Sequence, residues 1–287
     1  MDVKTVGVIG SGSMGSGIAQ ATALAGYQVI LYDLNDEILQ NARQRIDASI
    51  DKGVERGKTK TAVAAQAKTN ITLCTTLDAM NQADLIIEAA PEDIDLKRNI
   101  FSQLDAIVPA HTILSSNTSS LSISALAAAT QRRAQVVGLH FFNPAHIMRL
   151  VEVIRGDLTN DATMETARKF AKSLGKTAVI CKDTPAFIVN RVARPFYGEA
   201  FRLLGEEVAD VATIDTLMKS IGFRMGPFEL IDLIGSDVNL AVTQSVYDAY
   251  FQEPKYRPHP IQKRMVESGR LGHKSKHGFY DYRPETK

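Results

Sequence analysis

The stretch Val6–Gly15, VGVIGSGSMG, constrains this chain more than any other. A short apolar run ends in Gly10-Ser11-Gly12-Ser13-Met14-Gly15, and a helical period follows at once. Isolated G-x-G-x-x-G matches are common, and the strand before and helix after give this one its meaning. Gly10 permits a tight turn, Gly12 lets the backbone approach a pyrophosphate, and Gly15 allows close strand–helix packing. Free N–H groups and the helix dipole then favour an anion at the helix start. Gly10, Gly12, Met14 and Gly15 are therefore cofactor-binding candidates.

The next apolar run ends at Asp33, eighteen residues past Gly15. A carboxylate there can accept hydrogen bonds from the adenosine ribose hydroxyls of a dinucleotide. No Arg or Lys follows directly in LNDE, so a 2′-phosphate would meet repulsion, and NAD is expected rather than NADP. FAD uses a similar fingerprint and stays open on this motif alone.

Short apolar runs alternate with helical periods through the first half. Strands are expected over residues 3–9, 28–32, 70–74, 84–89, 112–115, 134–141, 149–154 and 177–181. Helices are expected over 14–25, 36–56, 94–107 and 161–174. This alternation predicts an α/β protein with a Rossmann-type, doubly wound parallel sheet, its last strands pairing antiparallel. After Cys181 the pattern turns helical almost to the end, with Thr184 as a cap and Pro185 at the first helical position. Expected domains are thus residues 1–183, the nucleotide-binding sheet, and 184–287, smaller and all-α.

A length of 287 residues accommodates both. A net charge of +1 gives no global case for nucleic acid or membrane as partner. Cys74 and Cys181 match no metal or redox spacing, which suits a reducing cytosol. The N-terminus lacks the basic and apolar regions of a signal peptide, and no run is long enough to span a membrane, so a cytoplasmic protein is expected. No metal site is expected either, since His273 and His277 lie in a Gly-flanked loop.

The segment 138–154, GLHFFNPAHIMRLVEVI, carries the most chemistry. His140 ends one apolar run and Glu152 sits inside another, between Val151 and Val153. A carboxylate is costly to bury without a partner, and a histidine shuttles protons near neutral pH. If the runs fold back at Asn143-Pro144, Glu152 can orient His140. The alternative is a core histidine in a structural ion pair.

GSGSMGSGIAQ, SSNTSSLSI, GLHFFNP with LVEVI, KDTPAFIVNRV, GFRMGPFELIDLIG and GRLGHKSKHGFYDY together resemble the 3-hydroxyacyl-CoA dehydrogenase family, in order along nearly the whole chain. The size resembles its short-chain 3-hydroxybutyryl-CoA members. NRVARPFYGEA and ELIDLIGSDVNLAVT look like bacterial 3-hydroxyadipyl-CoA dehydrogenases. The resemblance implies His140 as catalytic acid/base, Glu152 as its orienting carboxylate, Ser119 on the substrate's 3-oxygen and Asn190 on its reacting end. Glu92, Lys97, Ser119, Asn143 and Lys274 join the NAD-binding set. Coenzyme A is placed at a basic helical hairpin around Ser49 and Arg56, and the resemblance suggests a homodimer through the helical domain. Ala186 replaces the family's usual Gly, and Ala145-His146 a common Pro-Val.

Arg194, four residues after Asn190, shares its face of a regular helix and could pair with the ω-carboxylate of a dicarboxylic substrate. The alternative is a surface or subunit-interface arginine, and Pro195 could kink the helix. A lysine-dependent β-hydroxyacid dehydrogenase would need a lysine where Ala186 stands. A non-catalytic, crystallin-like descendant could lose Ser119, His140, Glu152 and Asn190, and all four are present.

Overall fold

A computed structural model of the protein describes residues 1–284, and the last three residues of the expected helical domain lie outside them. The chain divides into two compact units, Met1–Phe187 and Ile188–Lys287.

The first unit is built on one eight-stranded sheet. Its strands are β1 (Thr5–Ile9), β2 (Gln28–Tyr32), β3 (Ile71–Cys74), β4 (Leu85–Glu88), β5 (Ile113–Ser116), β6 (Val136–Phe141), β7 (Leu150–Arg155) and β8 (Thr177–Lys182), in the order β3-β2-β1-β4-β5-β6-β7-β8. Helices α1 (Ser13–Leu24), α2 (Asp36–Glu55), α3 (Thr61–Thr69), α4 (Ile94–Ile107), α5 (Ile123–Ala127) and α6 (Asp161–Ser173) connect them. Strands β4, β5 and β6 are buried throughout, as expected when both faces of a parallel sheet are covered. Alternation sorts their side chains. Leu85 and Ile87 join the core beneath α1, α2 and α6, whereas Ile86 joins that around Phe101 and Leu104 of α4.

Within the sheet as described, β6 and β7 are the one antiparallel pair, because their connection is a short loop; β8 returns parallel to β7. The expectation of antiparallel pairing among the last strands therefore fails at β8. Helix α6 intervenes there, and a helical crossover produces a parallel neighbour.

The second unit holds α7 (Val189–Gly205), α8 (Val211–Ser220), α9 (Pro227–Ile234), α10 (Ser236–Ala249) and α11 (Pro260–Glu267) around Tyr197, Phe201, Ile214, Phe228 and Ile231. Helix α7 begins at Val189 rather than at the Thr184-Pro185 start that the cap pattern suggested. Ala186 and Phe187 take φ angles of 64° and 49°, and such left-handed residues cannot propagate a right-handed helix. The tail is not helical either. Asp232 accepts the backbone N–H groups of Phe279 (3.0 Å) and Tyr280 (2.9 Å), while the Tyr280 hydroxyl donates to Asp215 at 2.8 Å. Two buried carboxylates thereby fasten the GFYDY segment as a clasp.

Candidate active site

The glycine loop has the shape its spacing implied. Gly10 sits at φ +91°, and a Cβ on Gly15 would collide with the Gly10 carbonyl oxygen. A Cβ on Gly12 would meet nothing within 4 Å, so the loop's outer side is open to a ligand. Gly12 caps α1 without a side-chain bond, and no acidic residue stands in the first turn. The first N–H groups of α1 thus lack an intrahelical acceptor, the arrangement that receives a pyrophosphate. Met14 lies in that turn.

Asp33, just beyond β2, accepts from the Ser11 amide and hydroxyl, both at 2.7 Å, which holds it beside the loop. Arg45 of α2 also arrives, its guanidinium donating to the Ser11 carbonyl at 3.1 Å. Arg45 lies well beyond the LNDE stretch that follows Asp33, so nearness in sequence gave no sign of this cation. Helix geometry returns a residue three turns along α2 to the loop.

At the carboxyl ends of β4 and β5 a second group assembles. Glu92 takes the Thr118 hydroxyl at 2.6 Å and the Ser119 amide at 2.9 Å, and its other oxygen lies 3.4 Å from the Lys97 ammonium. Burial alone would raise the Glu92 pKa, but Lys97 and these donors outweigh it and hold the carboxyl below its usual range. Lys97 also meets Glu88 at 2.6 Å and the Ala90 carbonyl at 3.0 Å. Glu88, which completes the pairing, was not singled out from sequence. One charge in the apolar run LIIE was the available signal.

His140 and Glu152 are direct cross-strand partners in the β6–β7 register. His140 Nδ1 lies 2.7 Å from Glu152 Oε2, with both side chains buried. Their neighbours Leu139 and Val153 point to the opposite face, so period-two alternation puts the pair on the α4 side of the sheet. The His140 ring is flanked by Phe142 at 4.4 Å and Phe187 at 5.9 Å. Asn117 ties the Ser-rich loop to this strand by accepting the Phe141 amide at 2.8 Å. Ser119 is partly exposed at that sheet edge, and Asn143 lies exposed just past β6.

A cleft of about 690 Å³ opens on the basic side of α2, lined by Ser49, Lys52, Arg56, Lys58 and His146 among others. Ser49 Oγ lies 3.4 Å from His146 Nε2. Burial and the nearby Lys176 ammonium lower the His146 pKa.

In the helical unit, Asn190 is half-buried in the first turn of α7, and Lys274 pairs with Asp237 at 2.5 Å. Arg194 is not the surface arginine that one sequence reading expected: it is buried, donating to the Asn239 carbonyl (3.1 Å) and Thr243 hydroxyl (2.9 Å) of α10. It shares the inward stripe of Tyr197, Ala200 and Phe201, so the amphipathic period of α7 turns it into the unit.

A glycine loop opening α1, an aspartate closing β2 and an acid/base-capable pair at the same sheet's carboxyl edge define a dinucleotide-dependent oxidoreductase. Residues 5–184 match the NAD-binding domain of 3-hydroxyacyl-CoA dehydrogenases, and residues 187–282 match their C-terminal domain. The chain belongs to the 3-hydroxyacyl-CoA dehydrogenase family, and its cofactor is NAD. It is 47% identical over 286 residues to 3-hydroxyadipyl-CoA dehydrogenase of Escherichia coli K12, covering 99% of this chain but 60% of that one. A 3-hydroxybutyryl-CoA dehydrogenase of Bradyrhizobium diazoefficiens is 42% identical over 282 residues, covering 98% of this chain and 96% of the relative. The crystal structure of (S)-3-hydroxybutyryl-CoA dehydrogenase from Ralstonia eutropha superposes with a TM-score of 0.94 at 42% identity, covering 99% and 100% of the two chains.

Proposed function

We propose that this protein oxidises L-3-hydroxyacyl-CoA to 3-ketoacyl-CoA with NAD, and catalyses the reverse, on short-chain substrates such as 3-hydroxybutyryl-CoA. The observation that carries the reading is the buried 2.7 Å contact between His140 and Glu152, on the sheet that also bears the glycine loop. With Nδ1 committed to Glu152, the imidazole uses Nε2 to take the proton from the C3 hydroxyl. Glu152 fixes the tautomer and stabilises the imidazolium that forms. NAD, when bound, would supply the acceptor for the hydride at C3. Ser119 and Asn190 align the developing carbonyl, and the protonated His140 returns its proton in the reverse direction.

The cofactor is held by the Gly10–Gly15 loop and Asp33, with Glu92, Lys97, Asn143 and Lys274 completing the set. Two pieces of geometry support this: the open side of Gly12 and the hydrogen bonds that pre-set Asp33 and Glu92. Coenzyme A occupies the cleft beside α2, where Ser49, Lys52, Arg56 and Lys58 supply a hydroxyl and three cations for its phosphates. The protein works in the cytoplasm; no helix among the described residues is long and apolar enough to cross a membrane. It dimerises through the helical unit, a reading supported by exposed Val192 (69%), Ile221 (71%) and Phe251 (96%).

A second reading, 3-hydroxyadipyl-CoA as substrate, draws on the 47% identity to the E. coli dehydrogenase of that name. Following NADH oxidation with acetoacetyl-CoA, free acetoacetate and 3-ketoadipyl-CoA separates these readings. Turnover of the first thioester alone supports the short-chain assignment. Preference for the dicarboxylic thioester moves it to the second, and no thioester turnover overturns both.

A further inference from the structure

Burying a guanidinium normally requires an anion beside it, because removal from water costs far more than neutral hydrogen bonds return. Arg194 is 5% exposed, and the acceptors that its Nη1 meets, the Asn239 carbonyl and Thr243 hydroxyl, are both neutral. Its Cζ lies 4.8 Å from the centroid of the Tyr197 ring, which offers a partial negative face but no charge. Its Nε is buried with no hydrogen-bond partner among the described residues. Burial pushes its pKa down to about 10.

A narrow crevice of about 10 Å³ runs beside this side chain. Its walls include Tyr197, Thr243, Lys255, Arg257, His259 and Gln262, and no described lining residue is acidic. Lys255 and Arg257 are exposed, which makes the crevice electropositive at its mouth, while His259, its pKa lowered mainly by burial, and the nearby Glu206 add no positive charge. The volume holds about one water-sized sphere. A water there would accept a hydrogen bond but leave the charge uncompensated. A phosphate or carboxylate group, with several heavy atoms, exceeds that volume.

We propose that the helical unit binds a monatomic anion of chloride size in this crevice, with Arg194 as its main ligand. The ion supplies the missing acceptor and countercharge and ties α7 to α10 and to the segment carrying Arg257 and His259. Its effect is on the stability of the helical unit rather than on hydride transfer.

Two measurements on the full-length protein test this. In bromide-soaked crystals, an anomalous peak is expected within hydrogen-bond reach of the Arg194 guanidinium, roughly 3–3.5 Å. In thermal unfolding at fixed ionic strength, replacing gluconate by chloride is expected to raise the midpoint, by roughly 5–10 °C at a hundredfold excess over the dissociation constant. Arg194→Met is expected to abolish both the peak and the chloride response. If that variant does not fold, the wild-type crystal and the anion exchange still decide the matter. No bromide peak at Arg194, a chloride-independent midpoint, or a chloride response retained in Arg194→Met overturns the proposal. A midpoint that follows protein concentration instead of chloride also overturns it, because the countercharge then comes from a second copy.

Discussion

Lys97 in the sheet unit and Arg194 in the helical unit are both buried cations, 1% and 5% exposed, yet their surroundings are opposite. Lys97 meets one carboxylate at 2.6 Å and a second at 3.4 Å, and Ala90, in the loop before α4, supplies a carbonyl. Arg194 meets a carbonyl, a hydroxyl and an aromatic face. Lys176 stands between them, with the carbonyls of Ala145 and Met148 at 2.7 and 2.8 Å and its pKa lowered by burial. Burial alone therefore says little about a cation's role. Around Lys97 the opposite charge is built in and the pair braces a site; Lys176 makes do with carbonyls, and Arg194 differs from both in keeping a buried Nε without a partner among the described residues.

The largest effect is expected at His140, whose pairing with Glu152 belongs to the same pattern of built-in countercharge. His140→Gln should lower kcat by roughly 10²–10⁴ while the circular dichroism spectrum stays native. Near-wild-type turnover would show that the pair is structural. Next comes Lys97→Met, which leaves Glu88 buried without its cation and should cost about 3–5 kcal/mol in urea unfolding. A loss below about 1 kcal/mol would mean that the Glu88–Lys97 contact is not a compensated pair. The matching Arg194→Met change leaves no carboxylate behind, so in chloride-free buffer it should be neutral or stabilising. Equal losses from the two methionines would erase the contrast.

A smaller effect concerns pH. Glu92 is held below its usual carboxyl pKa, so its contribution is fully present above about 4.5 and is lost as pH falls through its lower folded value. Comparing acid unfolding of Glu92→Gln with wild type should show a shallower dependence in the variant below that pH. Parallel curves would exclude the linkage. Smallest of all is Ala186→Gly. Relief of the left-handed φ of 64° is offset by the lost methyl and the added chain entropy, so calorimetry should find a change within about 1 kcal/mol.

Much of this molecule was legible because its signals are local. The eight strands lie within a few residues of their apolar runs, and the turn at Gly10–Gly15 follows from steric demands that only glycine meets. His140 and Glu152 could be paired on paper because one short antiparallel loop separates their strands. Arg45, Glu88 and the partners of Arg194 were not legible. Each depends on a contact between elements separated by many residues: Arg45 on Ser11, Glu88 on Lys97 and Ser116, Arg194 on Asn239. The short helices α3 and α5 escaped for another reason. Nine and five residues carry too few apolar positions to establish a period.

The amino-acid order by itself determined the alternating sheet unit, its nucleotide loop and the presence of a histidine–glutamate couple, since periodicity and steric exclusion act over a few residues. Tertiary structure alone decided which charges meet. Electrostatic partners are chosen in space, where desolvation makes each pairing or its absence costly. That choice put Glu88 beneath Lys97 and left Arg194 with only neutral acceptors among the contacts described.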